Sequence, residues 1–369
     1  TVIKNFAGLN NFTITVYTKG HNQTIYNNTM TCANVSSGAH CINTFLGSEG
    51  NNISNNNLTA LGSSNSMGIF AFQSGANTTI ASNSIITYGS GGSAGISLTL
   101  SNNITLIDNN ITIFGSGSYG IDVGGDYNNI SGGIINTSAG TTAYGIRVTS
   151  SADGNYFENI QVSSINSPEI YYSTVSSSDD FQNIILTGGT NLTIFGPSQV
   201  TIDVNTTPPA DPSGKQNLSD YLTITNLTAN GYVDFNLSYT DSDITGLIES
   251  SIRINRYNDS SGEWEELATS TVDTENNIVS SGNISSFSLF APFGSEAVTC
   301  GNVGSSIILT QNLTTDDTCF TVTADNVTID GAGYAITYNG SIFESKSGVL
   351  ISNRLNVTVK NFAGINNFS

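Results

Sequence analysis

Asp122, Asp126, Arg147 and Asp153 are the side chains whose types and spacing could most readily do chemistry. Setting GISLTLSN (95–102), GIDVGGDY (120–127) and GIRVTSSAD (145–153) under one another puts Asp122 and Arg147 at equivalent positions, with Asp126 and Asp153 in successive turns. Carboxylates gathered on one sheet face serve as acid/base pairs or calcium ligands, and a cation beside them can hold an acidic sugar. Against catalysis, the group has no histidine partner, and Arg147 is the only arginine between residues 1 and 200. A stacked surface ion pair worth ~0–1 kcal/mol accounts for Asp122 and Arg147 without any reaction. No catalytic residue is assigned, and the chain is expected not to be an enzyme.

Other candidates are thinner. His21 and His40 fall in turn-like sequence beside the Cys32/Cys41 stretch, where solvated side chains are the expectation. Hard oxygen donors for calcium occur at Asp241-Ser-Asp243, Asp179-Asp180 and Asp316-Asp317, none with the full spacing of a helix–loop–helix calcium site. Asp241 and Asp243 are kept as the calcium candidates. Tyr171 and Tyr172, with Tyr26, Tyr119 and Tyr127, hint at an aromatic ladder for carbohydrate. There is no Ser-His-Asp set, no phosphate loop and no G-x-G-x-x-G opening a helix; GSGGSAG at 89–95 reads as a coil corner. Calcium and N-linked glycans aside, no cofactor is expected.

Composition narrows the classes. Nine Lys+Arg against 28 Asp+Glu give a net charge of −19, which excludes a nucleic-acid partner. Only 10% of residues are charged, yet 37% are apolar, so this is a folded, polar-surfaced protein rather than an acidic disordered tail. Asn-x-Ser/Thr sequons recur about two dozen times, among them those of Asn22, Asn103, Asn217 and Asn326, the pattern of a glycosylated extracellular or cell-surface protein. Four cysteines allow three connectivities; their two local pairs, Cys32 with Cys41 and Cys300 with Cys319, suggest two short-range disulfides formed in an oxidising compartment. No apolar run of about 18 residues is present, so no membrane span is expected in this segment.

The elements that must carry these residues are strands. No stretch keeps a helical i, i+3, i+4, i+7 pattern, whereas β-branched runs of a few residues punctuated by Asn-Asn, Gly-Ser and Ser-Asn occur throughout. Gly68-Ile69, Gly95-Ile96, Gly120-Ile121 and Gly145-Ile146 recur at about 25 residues. So does the series Ile25, Ile53, Ile80, Ile104, Ile130 and Tyr156. One coil per repeat, with Asn and Gly turning its corners, predicts strands stacked in parallel about 4.8 Å apart: a parallel β-helix. A much longer repeat encloses the short one. TVIKNFAGLNNFT (1–13) returns as VTVKNFAGINNFS (357–369), matching Lys4, Asn5, Phe6, Ala7, Gly8, Asn10, Asn11 and Phe12 to residues 356 positions on. The expectation is one period of a diverged tandem repeat, cut from a longer polypeptide whose natural module starts near 297.

The segments NVTIDG (326–331), NVTVKN (356–361) and NITLIDN (103–109) resemble coils of right-handed β-helix proteins of the NosD/pectate-lyase-like group. In archaeal and bacterial surface proteins such coils sit beside sandwich modules, and 215–296, with its FSLFAPFG ending, resembles one of these. The resemblance implies an all-β chain: a right-handed parallel β-helix at 1–204, a proline-rich linker at 205–214, an Ig-like β-sandwich at 215–296 with Trp264, Phe287, Phe290 and Phe293 in its core, and at 297–369 a cap and the first coils of the next β-helix. It also implies a structural role, a repeat of an extracellular filament or surface layer joined head-to-tail through β-helix edges. Lys4, Phe6, Phe12, Lys360, Phe362 and Phe368 would form the junction, with self as partner. The alternatives are a carbohydrate-binding adhesin, whose partners are glycans or other cells, and a polysaccharide lyase or hydrolase.

Overall fold

The computed structural model describes residues 1–368 except 35–37, 139–141, 150–151, 166, 176–177, 220, 230 and 342–344. The chain forms two compact units, the first of residues 1–210, 217–239 and 253–292, the second of residues 211–216, 240–252 and 293–369. The segment expected as one sandwich, 215–296, is thus shared between them. Both units are all-β; among the described residues the sole helical element is a 3-10 turn, Thr187–Gly189.

Residues 1–185 of the first unit wind as a parallel β-solenoid with three faces. The first face stacks Val2–Lys4, Thr24–Tyr26, Asn52–Ser54, Thr78–Ala81, Ile104–Ile107, Asn129–Ser131, Tyr156–Glu158 and Asp180–Ile185, each parallel to the next. The second runs from Ala7–Phe12 to Gln161–Ser164, the third from Ile14–Thr18 to Ile170–Tyr172. One inward position of the first face carries Ile25, Ile53, Ile80, Leu106, Ile130, Phe157 and Phe181, all buried. This corrects the sequence register at two coils, where Leu106 and Phe157 take the places expected for Ile104 and Tyr156. Each such side chain contributes ~1.5–3 kcal/mol relative to exposure.

The Asn-rich dipeptides have a division of labour. The first residue takes a left-handed backbone that turns the corner: Asn27 (φ 56°), Asn55 (56°), Ser82 (53°) and Asp108 (49°). The second points its amide inward. Asn28, Asn56, Asn83 and Asn109 form a buried ladder in which each Oδ1 accepts from the backbone N–H and Nδ2 of its predecessor, at 2.9–3.1 Å. Asn28, Asn56, Asn83 and Asn109 also donate Nδ2 to the carbonyls of Ile3, Ile25, Ile53 and Ile80. A second ladder runs through Asn128 and Asn155 and ends on Asp179, whose Oδ1 accepts from the Asn155 amide. The Gly-Ile repeats stack in register as the sequence implies. A Cβ on Gly68, Gly95, Gly120 or Gly145 would overlap Ile85, Ile111, Ile135 or Val162 of the second face, so glycine is what lets the two faces close on each other.

After Ile185 the pairing turns antiparallel. Asn191–Ser198 pairs with Asp180–Ile185 and then with Tyr232–Ser238, which pairs with Ile278–Ile284. Val200–Asn205 pairs with Ile170–Tyr172 and with Tyr221–Asn226. Two faces of the solenoid therefore continue into two antiparallel sheets, which meet through Phe235 and Phe290, edge to face at 5.9 Å. Antiparallel pairing thus begins at 191, inside the stretch expected to be β-helix to 204. Covering the last coil in this way satisfies backbone groups that an open edge would leave bare. Phe290 and Phe293 are buried as expected, but Phe287 is half-buried and Trp264 lies outside the core. Trp264 sits on the strand Glu263–Glu266 between acidic neighbours, its Nε1 donates to the Ala210 carbonyl at 3.0 Å, and its ring leans on Tyr221 and Tyr257.

In the second unit, residues 301–366 build three short parallel sheets. These are Gly301–Val303, Phe320–Val322 and Val349–Ile351; Ile307–Ile308, Thr328–Asp330 and Thr358–Lys360; and Leu313–Thr315, Ala335–Tyr338 and Gly364–Asn366. Val303, Leu309, Leu313, Phe320, Val322, Ile329 and Ile336 fill the core. Both expected disulfides are present, Cys32–Cys41 with Cα atoms 5.1 Å apart and Cys300–Cys319 at 4.4 Å.

Candidate functional site

Parallel register brings Asp122, Arg147 and Tyr171 into one column on the third face, with Tyr119 and Tyr144 paired beside them. Arg147 Nε donates to Asp122 Oδ1 at 2.7 Å and its Nη2 to Oδ2 at 2.8 Å, a bidentate fork, while the guanidinium lies 3.6 Å from the Tyr119 ring centroid. Burial works against the Arg147 charge, but the bond to Asp122 together with the charges of Asp122, Tyr119 and Tyr171 outweighs it and leaves the guanidinium pKa raised. Tyr119 stacks on Tyr144 at 6.0 Å and Tyr144 on Tyr171 at 4.6 Å, all three half-buried; burial pushes the phenols of Tyr119 and Tyr144 up. With its rings stacked face to face, this half-exposed row offers ring edges, hydroxyls and a fixed planar cation to a polar ligand such as a sugar. For general acid/base work Asp122 is badly placed, since both its oxygens hold Arg147. Asp126 has one buried oxygen without a hydrogen-bond partner, and Asp153 accepts from the Ser178 hydroxyl.

Of the tyrosines singled out from sequence, Tyr119 and Tyr171 join this row. Tyr172 is fully buried and donates to Asp179 at 2.7 Å, and Tyr26 and Tyr127 are exposed elsewhere. Tyr144 was missed, although its place beside Gly145-Ile146 matches that of Tyr119 beside Gly120-Ile121. A second row, Tyr17, Phe45 and Phe72 at 5.8 and 4.9 Å, lies on the same face with Lys19 Nζ 5.6 Å from the Phe45 centroid. His40 is not the turn residue expected: it opens the strand His40–Phe45, bonds the Asn65 carbonyl and packs 4.9 Å from Phe70, and burial lowers its pKa. His21 is exposed near Glu49.

The calcium candidates do not converge. Asp243 Oδ2 accepts from the N–H and hydroxyl of Thr240 at 2.7 and 2.8 Å, which closes a turn, and Asp241 is exposed. Among the described residues no three His, Cys, Asp or Glu side chains gather where they could hold one ion. Asn22, Asn103 and Asn326 are exposed sequon asparagines at left-handed corners, open to modification; Asn217 is half-buried and bonds Ser219. At the proposed junction Lys4, Phe6 and Phe12 are exposed, Lys360 Nζ lies 3.3 Å from Asp330, and Phe362 and Phe368 pack partly against the core of their unit.

One group of residues could not be found from sequence. Glu169 and Asp203, 34 positions apart, are brought together where Ile170 opposes Ile202 across the antiparallel pair. Glu169 is fully buried and hydrogen-bonded to the Asp203 carboxyl; its Oε1 accepts from the Thr187 hydroxyl at 2.6 Å and its Oε2 from the Val204 N–H at 3.1 Å. Burial pushes its carboxyl up to about 8, with the charge of Asp203 adding to the shift, and burial raises Asp203 as well. Both line a cavity of ≈ 390 Å³ with Ser164, Thr187, Asn205 and Thr223.

Comparison with protein-family models, curated proteins and solved structures finds no match to this chain.

Proposed function

We propose that this chain is a structural repeat of an extracellular filament or surface layer, in which right-handed β-helix coils of the NosD/pectate-lyase-like kind alternate with β-sandwich spacers and join head-to-tail. The observation that carries this reading is the complementary pairing of the two copies of one segment. In the first copy, Val2–Lys4 pairs with Thr24–Tyr26, the coil after it; in the second, Thr358–Lys360 pairs with Thr328–Asp330, the coil before it. Between them they supply both sides of one complete coil, so that one repeat can continue into the next. Such heterologous contacts propagate rather than close. Electron microscopy of the native material tests this. Filaments or a lattice that disappear with Phe6→Asp and Phe12→Asp would support it, and dispersed particles under native conditions would sink it.

A second reading, a carbohydrate-binding adhesin, is favoured by the Tyr119–Tyr144–Tyr171 row beside Arg147. It requires glycan binding that Tyr144→Ala weakens by at least about fivefold, in line with ~1 kcal/mol for loss of one aromatic contact. Retention of binding in that variant would remove this face from consideration.

A further inference from the structure

We propose that Glu169 and Asp203 form a proton-sharing latch that fastens the last parallel coil to the antiparallel strand Val200–Asn205 and releases it when the shared proton is lost. The two carboxyls stand opposite each other, one step beyond Ile170 and Ile202, in the pairing where the solenoid hands over to the antiparallel sheet. Like charges directly opposite across two strands repel, and an unpaired buried carboxylate is strongly disfavoured. One proton between them converts that repulsion into a carboxyl–carboxylate hydrogen bond.

Among the described residues lining the cavity no cation faces the pair. Facing Glu169 are the Thr187 hydroxyl and the Val204 N–H, both donors to its oxygens. Opposite Asp203 stands Thr223, with Tyr221 opposite Asn205. On the strand Tyr144–Val148, whose Ile146 N–H donates to the Glu169 carbonyl, the charged group is Arg147, already bound to Asp122 at both oxygens, and the phenol is Tyr144. The strand Ile170–Tyr172 adds Tyr171, stacked on Tyr144, and Tyr172, bonded to Asp179. The strand Gln161–Ser164 and the turn Thr187–Gly189 carry no ionisable side chain.

The sign follows from the raised folded value. Glu169 goes from 4.5 to about 8, so its stabilisation is complete below 4.5, falls as pH rises, and is gone above about 8. Within that window the open fraction at the junction rises up to about tenfold per pH unit.

Hydrogen exchange of the whole chain between pH 5 and 9, corrected for intrinsic rates, reads this at peptides covering 167–172 and 200–206. The wild type should lose protection there as pH rises and level off above about 8. Glu169→Gln keeps one oxygen for the Val204 N–H and turns its NH2 toward the Thr187 hydroxyl, which can accept, but removes the shared proton, and should flatten the profile; Asp203→Asn should do the same. A flat wild-type profile overturns the latch, as does an unchanged slope in either variant. If neither variant folds, the wild-type profile alone decides, with the solenoid strand Thr78–Ala81 as internal reference.

Discussion

Residues 1–13 and 357–369 are near-copies in two settings. Their backbones agree at the corner: Asn5 has φ 60° and its counterpart Asn361 has φ 57°. Their side chains do not. Phe6 is 50% exposed, whereas Phe362 lies against Gly331 and packs on the core of its unit, and Phe12 is 54% exposed where Phe368 tilts onto Tyr338 at 5.4 Å. The corner is therefore written locally, in an asparagine that tolerates left-handed backbone, while burial depends on which neighbouring coil is present. The same contrast holds between the stacks. The 1–185 solenoid adds buried amide ladders to its apolar column and Cys32–Cys41 bridge. The 301–366 stack has instead a small apolar core, the Cys300–Cys319 bridge and an amide rung, Asn356 to Asn326, that is exposed.

The largest test of that contrast is Asn56→Ala. It strips the acceptor from the Asn28 N–H and amide and the donor from the Ile25 carbonyl, all buried. At ~1–3 kcal/mol for each of these stranded groups, a loss of at least about 3 kcal/mol is expected in denaturant unfolding. Asn326→Gly, which keeps the left-handed corner (φ 58°) of the short stack and loses only the exposed bond that Oδ1 accepts from Asn356 at 2.9 Å, should change stability by less than about 1 kcal/mol. Similar losses for the two would mean that the ladders hold nothing together. Next in size comes removal of the Cys300–Cys319 bridge by paired alanines, expected to lower stability by ~2–4 kcal/mol, read as a lower midpoint for the short stack alone.

How far the sequence foretells this depends on whether a feature is periodic. The coil, its Gly-Ile column, the Asp122–Arg147 pair and both disulfides recur at coil spacing or join nearby residues, and all were legible. Trp264 was placed in the core because a lone tryptophan in alternating sequence usually is; the acidic neighbours on its strand hold it at the edge. Ile104 and Leu106 are both apolar two residues apart, so periodicity alone could not choose the register. Glu169 and Asp203 are invisible for a stronger reason: they meet only because pairing reverses from parallel to antiparallel, a change no residue pattern announced.

The phenylalanines offer a smaller and more direct test. Phe362→Ala removes a ring packed against a core and should cost about 1–2 kcal/mol, while Phe6→Ala in dispersed protein should stay within ~0.5 kcal/mol, because half of that ring already meets water. Protection of Phe6 from hydroxyl-radical labelling in assembled material, and its exposure in dispersed material, would show that a neighbouring coil completes the first copy as the Gly331 coil does the second. Equal labelling in both states would break the parallel.

The smallest effect is a pH response of opposite sign in the two regions. In the short stack Asp317 is held low first by its bond to Lys346, at 2.8 Å, and Asp330 first by the Ala332 N–H and then by Asn361. Depressed carboxylates stabilise above their unfolded value of 3.8, and that stabilisation is lost as pH falls through the folded value. In the long solenoid Asp179 is raised by burial, despite the bonds it accepts from Asn155 and Tyr172, so its contribution is complete below 3.8 and declines as pH rises. Acid should therefore loosen 313–366 slightly while leaving 155–181 tight, and alkali should do the reverse at Asp179 and, more strongly, at Glu169. Exchange measured at pH 3 and pH 6 on both peptides separates the cases, with Lys346→Met expected to abolish part of the acid response. Loosening of both regions together in acid would mean that the ladder-end carboxyl is ionised at pH 6 and gains from its amide donors more than burial takes away.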